Sequence, residues 1–194
     1  MIKSTGLKKL RTAIFISGTG TNLKNLIKFS LSKKSPIKIC LIVSNNPNAE
    51  GLKFSTKYKI KHKIFKYKSN NTDEKKALHH LNKNKINLIC LAGYMKILSE
   101  NFIKCFNGPI LNIHPSLLPK YKGLNTHERV INNKEKYTGC TVHFVDSKLD
   151  SGKVVLQKKI KLFKNDTPSK LAKRVLKQEH ILYPKAIMKL FANS

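Results

Sequence analysis

The stretch 110–123, ILNIHPSLLPKYKG, sets an Asn and a His two residues apart at the end of an apolar run. In an extended strand, residues i and i+2 project from one face, so Asn112 and His114 point together. Pro115 biases His114 toward extended geometry and removes a backbone donor, which ends the ladder. An imidazole beside a carboxamide at a strand's carboxyl end can move a proton and steady a developing oxyanion. An edge-strand histidine next to a hydrogen-bonded asparagine accounts for the same pattern. From these two residues alone, both readings stay open.

The elements that must position this pair read as strands alternating with helices. TAIFIS is a buried first strand; it runs into the turn G-T-G-T-N (18–22) and then a helix with Leu23, Leu26, Ile27 and Leu31 near helical spacing. Strand, glycine turn and helix present free N–H groups and a positive helix end to an anion. Asn22 is suited to cap that helix. The third glycine of a dinucleotide fingerprint is missing, so the turn favours phosphate over NAD, with a ligand-free βα turn as the plain alternative. A second strand is expected over 37–45, a short helical stretch over 51–57, a strand over 62–67, a polar turn over 69–72 and a helix over 73–84. His79 and His80 on that helix face different ways and read as solvated rather than as a metal pair.

NLICLAGYMKIL is the next buried strand, ending at Gly93. Met95, Ile97 and Leu98 beyond it read either as core or as the lining of a pocket for a flat ring. Ser99 caps a short helix, the Ile110 strand follows, and a long loop carries Gly123, Asn125, Thr126 and His127. Strands over 140–145 and from Val154 are joined by a short turn-like link and should pair antiparallel. Between them lie Asp146 and Asp150, conspicuous in a chain with only ten carboxylates. Asp150 before a serine–glycine pair is a turn former, or the carboxylate that orients His114. Thr167-Pro168 reads as a helix start, with a first helix running toward Tyr183-Pro184 and a further helical segment after it. The fold class is therefore α/β: a Rossmann-like, mostly parallel sheet with helices on both faces and an antiparallel C-terminal strand pair.

Composition narrows the function classes. A chain of 194 residues with 40% hydrophobic content suits one domain, 1–194. No run approaches the roughly 20 apolar residues of a membrane span. The first apolar run stops at Ser17-Gly18 without a cleavage-like site and reads as a strand, not a signal peptide. Four cysteines without C-x-x-C spacing read as reduced thiols of a cytoplasmic protein, not as disulfides or zinc ligands. The formal charge of +29 would attract any polyanion. Its lysines are spread through every segment with few aromatics among them, which argues against a dedicated nucleic-acid role and for the recruitment of small anionic substrates.

Taken together and in order, ISGTGTNL, SNNPNAEGL, LAGYMKILS, ILNIHPSLLPKYKGL, GCTVHFVDSKLDSGKVVLQ and RVLKQEHILYP resemble the phosphoribosylglycinamide formyltransferase family, from about Ile14 to Tyr183. The resemblance implies formyl transfer from 10-formyltetrahydrofolate to the amine of glycinamide ribonucleotide in purine synthesis, with no metal. It implies Asn112, His114 and Asp150 as the catalytic trio, and Gly20, Thr21 and Asn22 as the ribonucleotide phosphate site. Leu176, Lys177, Gln178 and Glu179 would form a further substrate-binding stretch. Met95, Lys96, Ile97 and Leu98, with Asn112 and the loop Asp146, Ser147, Lys148, Leu149 and Asp150, would hold the folate.

Those residue types suit the reaction. Asn112 and a protonated His114 would donate to the oxyanion, while Asp150 would stabilise the imidazolium and relay a proton. Asn125 replaces a frequent His of the family, Thr21 and Thr141 replace frequent Ser, and Lys96 replaces an Arg, keeping its charge but not its planar fork. A folate-contacting Arg of relatives falls near Asn70 and is not carried over. Formyltetrahydrofolate hydrolase and methionyl-tRNA formyltransferase share the Asn-x-His and Asp pattern, but each normally has an extra domain for which this chain is expected to have no room. A polyanion-binding α/β module is the alternative from a different class. A monomer or homodimer fits equally.

Overall fold

The computed structural model describes residues 9–66 and 70–191. Seven strands form one sheet in the order β3-β2-β1-β4-β5-β6-β7. They are β1 (Leu10–Ile16), β2 (Ile37–Ser44), β3 (Lys61–Ile64), β4 (Leu88–Leu91), β5 (Ile110–His114), β6 (Tyr137–Phe144) and β7 (Val154–Lys161). Strands β1 to β5 are mutually parallel; β6 runs antiparallel to β5, and β7 antiparallel to β6. The helices are α1 (Thr21–Ser30), α2 (Lys53–Lys57), α3 (Asn70–Lys83), α4 (Glu100–Cys105), α5 (Thr126–Asn132) and α6 (Pro168–Phe191).

The apolar runs of the sequence are continuous because the central strands are covered on both faces. Alternate residues go to opposite sides. Ile14, Ile16, Ile42, Cys90, Leu111 and Val142 pack with Leu23 and Leu26 of α1 and Val175 and Tyr183 of α6. Ala13, Phe15, Val43, Ile89 and Ile110 pack with Leu81 of α3 and Phe102 of α4. Each fully buried side chain of this size contributes about 1.5–3 kcal/mol relative to exposure. Tyr183 is fully buried, and its hydroxyl lies 3.1 Å from the Leu91 carbonyl and 3.0 Å from that of Leu111, spanning β4 and β5 next to Asn112.

Several expectations change. The first helix starts from Gly20 at φ 71° with no side-chain cap, and Asn22 does not cap it: its side chain turns inward to Glu179. Strand β3 is Lys61–Ile64 rather than 62–67, and β4 stops at Leu91, short of Gly93. Helix α3 begins at Asn70, inside the expected polar turn 69–72; residues 67–69 lie outside the described residues. The loop expected after Gly123 contains α5, a helix of seven residues, with Thr126 and Val130 buried. Only two inward positions gave it too little periodicity to read.

Strand β6 starts at Tyr137 because the ladder with β7 continues through Thr138 and Gly139. A Cβ at Gly139 would stand 2.0 Å from the Lys158 carbonyl oxygen, so glycine permits this pairing. Helix α6 runs unbroken through Pro184 instead of restarting after it. Proline removes the N–H that would serve the His180 carbonyl. The Asn25 side chain of α1 supplies a replacement donor at 2.6 Å. Ser99 does cap α4, accepting from Phe102 N at 3.0 Å, and Thr167 Oγ1 accepts from Lys170 N at the start of α6.

Candidate active site

Asn112 and His114 share a face of β5 and meet their antiparallel partners on β6, His143 and Thr141. This is the face that Ile110 turns to the α3–α4 layer, beyond the reach of that layer at the strand's carboxyl end. The 115–125 loop covers it from one side and the 145–153 link from the other. Thr141 anchors the first loop: its Oγ1 donates to the Ser116 carbonyl at 2.6 Å and accepts from Leu118 N at 3.2 Å and Gln157 Nε2 at 3.0 Å. The hydroxyl that a Ser would supply is thus kept and used.

The second loop delivers Asp150, held at φ 47°, with its carboxylate buried. Asp150 Oδ2 accepts from Gly123 N at 2.8 Å and lies 3.3 Å from His114 Nδ1. Asp150 Oδ1 lies 3.5 Å from Asn112 Nδ2 and 3.7 Å from His143 Nε2. The other nitrogen of His114, Nε2, faces the Tyr121 carbonyl at 2.8 Å. A carbonyl only accepts, so Nε2 carries a proton, and the ring satisfies both neighbours when Nδ1 is protonated as well. The Asn-x-His pair and Asp150 thus come together from positions 38 residues apart.

These residues open into a cavity of about 760 Å³. Met95, Lys96, Ile97 and Leu98 line one wall, and Asp146, Ser147, Lys148 and Leu149 line the other. Met95 (63% exposed), Ile97 (70%), Leu124 (72%) and Leu149 (51%) leave unusually large apolar side chains open to the cavity, whereas Leu98 is also buried core. The first wall is tied to the end of β1: Ser17 Oγ accepts from Met95 N at 2.7 Å and donates to Asn45 Oδ1 at 2.5 Å.

Asn22 and Glu179 close the far end. Asn22 Nδ2 donates to Glu179 Oε2 at 2.7 Å across 157 residues of chain, and Asn22 Oδ1 is buried with no hydrogen-bond partner. Burial pushes the Glu179 carboxyl above its usual range, against the Asn22 bond. Of Leu176, Lys177, Gln178 and Glu179, Glu179 alone reaches the cavity, as expected of four consecutive helical residues. Gly20 and Thr21 stand just outside the lining, at the start of α1. That first turn has neither a side-chain cap nor an acidic residue, which leaves its N–H groups to an anion. A Cβ on Gly20 would meet Gly51 Cα at 2.6 Å, so the tight approach of this turn to residue 51 demands glycine.

His143 is inconspicuous in the sequence because it sits inside an apolar alternating strand. Its one signal is the antiparallel register that sets it opposite Asn112. Among the described residues no group of three His, Cys, Asp or Glu is arranged to hold a metal, and His79 is exposed on α3. Cys90 and Cys140 are buried and their thiols pushed up to about 12 by burial; all four cysteines are free. No described helix is long and apolar enough to cross a membrane.

Comparison with known proteins identifies the family of the chain. Residues 10–187 match the formyl transferase family. The chain is 43% identical to the phosphoribosylglycinamide formyltransferase of Haemophilus influenzae over 93% of its own length and 86% of that protein. It is 41% identical over 92% of its length to the trifunctional purine biosynthetic protein adenosine-3 of Gallus gallus, of which it spans only 18%. The crystal structure of phosphoribosylglycinamide formyltransferase from Brucella melitensis superposes with a TM-score of 0.89 at 40% identity, covering 96% of this chain and 97% of that one. The chain belongs to the formyl transferase family, in its phosphoribosylglycinamide formyltransferase branch.

Proposed function

We propose that this chain transfers the formyl group of 10-formyltetrahydrofolate to the amine of glycinamide ribonucleotide, as a single formyltransferase domain. The observation that carries this reading is the convergence of three donors on one buried carboxylate: Gly123 N–H, His114 Nδ1 and Asn112 Nδ2 all face Asp150. Asn112 and His114 also line the cavity beside that carboxylate, so a donor pair and a base stand together where an oxyanion would form. The residues present fit the folate. The exposed apolar wall of Met95, Ile97, Leu124 and Leu149 offers a flat ring system its cover, and Lys96 and Lys148 offer charge to its carboxylate tail. At the other end, the unpartnered Asn22 Oδ1 and the Glu179 carboxylate suit ribose hydroxyls, and the start of α1 suits a phosphate.

The bound formyl folate supplies an electrophilic carbon on a nitrogen able to leave as an amine. Asn112 and His114 donate to the formyl oxygen as the ribonucleotide amine attacks and charge builds there, while Gly123 N–H holds the Asp150 carboxylate in place. Asp150 stabilises the His114 imidazolium, accepts the proton the amine loses as the new C–N bond forms, and returns one to the nitrogen whose C–N bond breaks. Tyr121 holds the His114 ring by Nε2, which turns Nδ1 to Asp150 at the cavity wall.

The absorbance change from 10-formyl folate to tetrahydrofolate, followed with and without glycinamide ribonucleotide, tests the reading. Turnover is expected only with the ribonucleotide and should fall at least ~10²-fold in His114→Ala. Turnover without it would mark a hydrolase, and no turnover in either case would overturn the proposal.

A further inference from the structure

The oxyanion-hole role of Asn112 needs its NH₂ group, not its carbonyl, turned to the reacting centre. The carboxamide is nearly symmetric in shape, so something must break the tie. His143 stands directly across the β5–β6 ladder. Its Nδ1 lies 2.7 Å from the Phe144 carbonyl and its Nε2 lies 3.1 Å from Asn112 Nδ2. The Phe144 carbonyl can only accept, so Nδ1 must carry the ring proton. In the neutral ring Nε2 is then a bare acceptor, and it can be satisfied only by the NH₂ of Asn112. One N–H of Asn112 is consumed there; the other is left for the Asp150 side of the cavity, where Oδ1 lies 3.5 Å away.

We infer that His143 is a positioning residue: a tautomer-locked acceptor that fixes the carboxamide orientation of Asn112. The assignment rests on the transferase reading for its consequence in rate, but not for its hydrogen-bond logic. The groups facing His143 are Asn112 and His114 on β5 and Asp146 and Asp150 on the β6–β7 link. The Phe144 carbonyl and the two carboxylates favour a charged ring, while burial and His114 oppose one. Burial is the largest influence and holds His143 below the ordinary histidine range, which keeps the acceptor available at neutral pH. A charged His143 would present N–H to the NH₂ of Asn112 and turn the amide over.

Two measurements test this. Ring-¹⁵N NMR of the wild-type protein at neutral pH, without substrates, should show His143 neutral with its proton on Nδ1. A proton on Nε2 would overturn the inference whatever the activity. In turnover assays, His143→Leu should lower kcat about 10-fold or more, short of the ~10²–10³-fold cost of removing the donor itself, with KM for both substrates unchanged. His143→Gln, whose carbonyl can replace Nε2 as acceptor, should recover most of that loss. A leucine variant at the wild-type rate, or a glutamine variant no faster than leucine, would assign His143 to packing and overturn the proposal. Because the NMR readout needs no turnover, an inactive wild-type protein would refute the transferase reading separately.

Discussion

Asp150→Asn is the most informative single change, because it keeps shape while altering every bond the side chain makes. In the native site both carboxylate oxygens only accept: Oδ2 faces Gly123 N at 2.8 Å and His114 Nδ1 at 3.3 Å, and Oδ1 faces Asn112 Nδ2 at 3.5 Å. A carboxamide has one acceptor and one NH₂. In one orientation its NH₂ opposes Gly123 N–H and the His114 ring; in the other it opposes Asn112. Either way at least one donor loses its acceptor, and the negative charge beside His114 is gone. Hydrogen bonds to charged groups contribute about 1.5–3 kcal/mol each. Release of a buried carboxylate offsets part of that loss, so a fall of about 1–3 kcal/mol in unfolding free energy is expected, with the fold retained. The kinetic loss is larger in meaning, since the proton relay disappears with the base: at least ~10² in kcat, or about 2.7 kcal/mol in the barrier. The assay is folate absorbance at saturating ribonucleotide, paired with urea unfolding to confirm folded protein. A folded Asp150→Asn variant with wild-type kcat would refute the reasoning.

Two further outcomes follow from buried polar groups. Tyr183→Phe removes the hydroxyl that serves the Leu91 and Leu111 carbonyls in the core; stability should fall by about 1–3 kcal/mol in urea unfolding, and an unchanged midpoint would show those carbonyls satisfied otherwise. Glu179 has a folded-state pKa raised by burial, so the folded protein holds this proton more tightly than the unfolded chain. Its contribution to stability is therefore fully present below the ordinary carboxyl range and is lost as pH rises through the raised value. Glu179→Gln should flatten that part of the urea-midpoint profile while raising KM for the ribonucleotide; an identical pH profile in wild type and variant would contradict it.

Much of the site could be read locally. Asn112 and His114 share a face because a strand repeats every two residues, and Pro115 marks where that strand ends. The G-T-G turn is legible because glycine adopts a left-handed backbone at no steric cost, and the structure adds that a Cβ on Gly20 would stand 2.6 Å from Gly51 Cα. Local rules misled at Asn22, whose residue type suits a cap but whose amide is claimed by Glu179 from the far end of the chain. They misled again at Pro184, where helix continuation depends on Asn25 supplying the donor that proline lacks.

The alternation of strands and helices, the apolar faces and the Asn-x-His pair are written locally in the chain, since each follows from backbone periodicity over a few residues. Packing across the chain brings Asp150 to that pair, sets His143 against the Asn112 amide, and leaves Met95 and Ile97 open to a cavity where Leu98 is also part of the core. Hydrogen bonds and burial depend on distances between atoms far apart in the chain. Those distances are fixed when β5, β6 and the link to β7 pack together, and no local spacing encodes them.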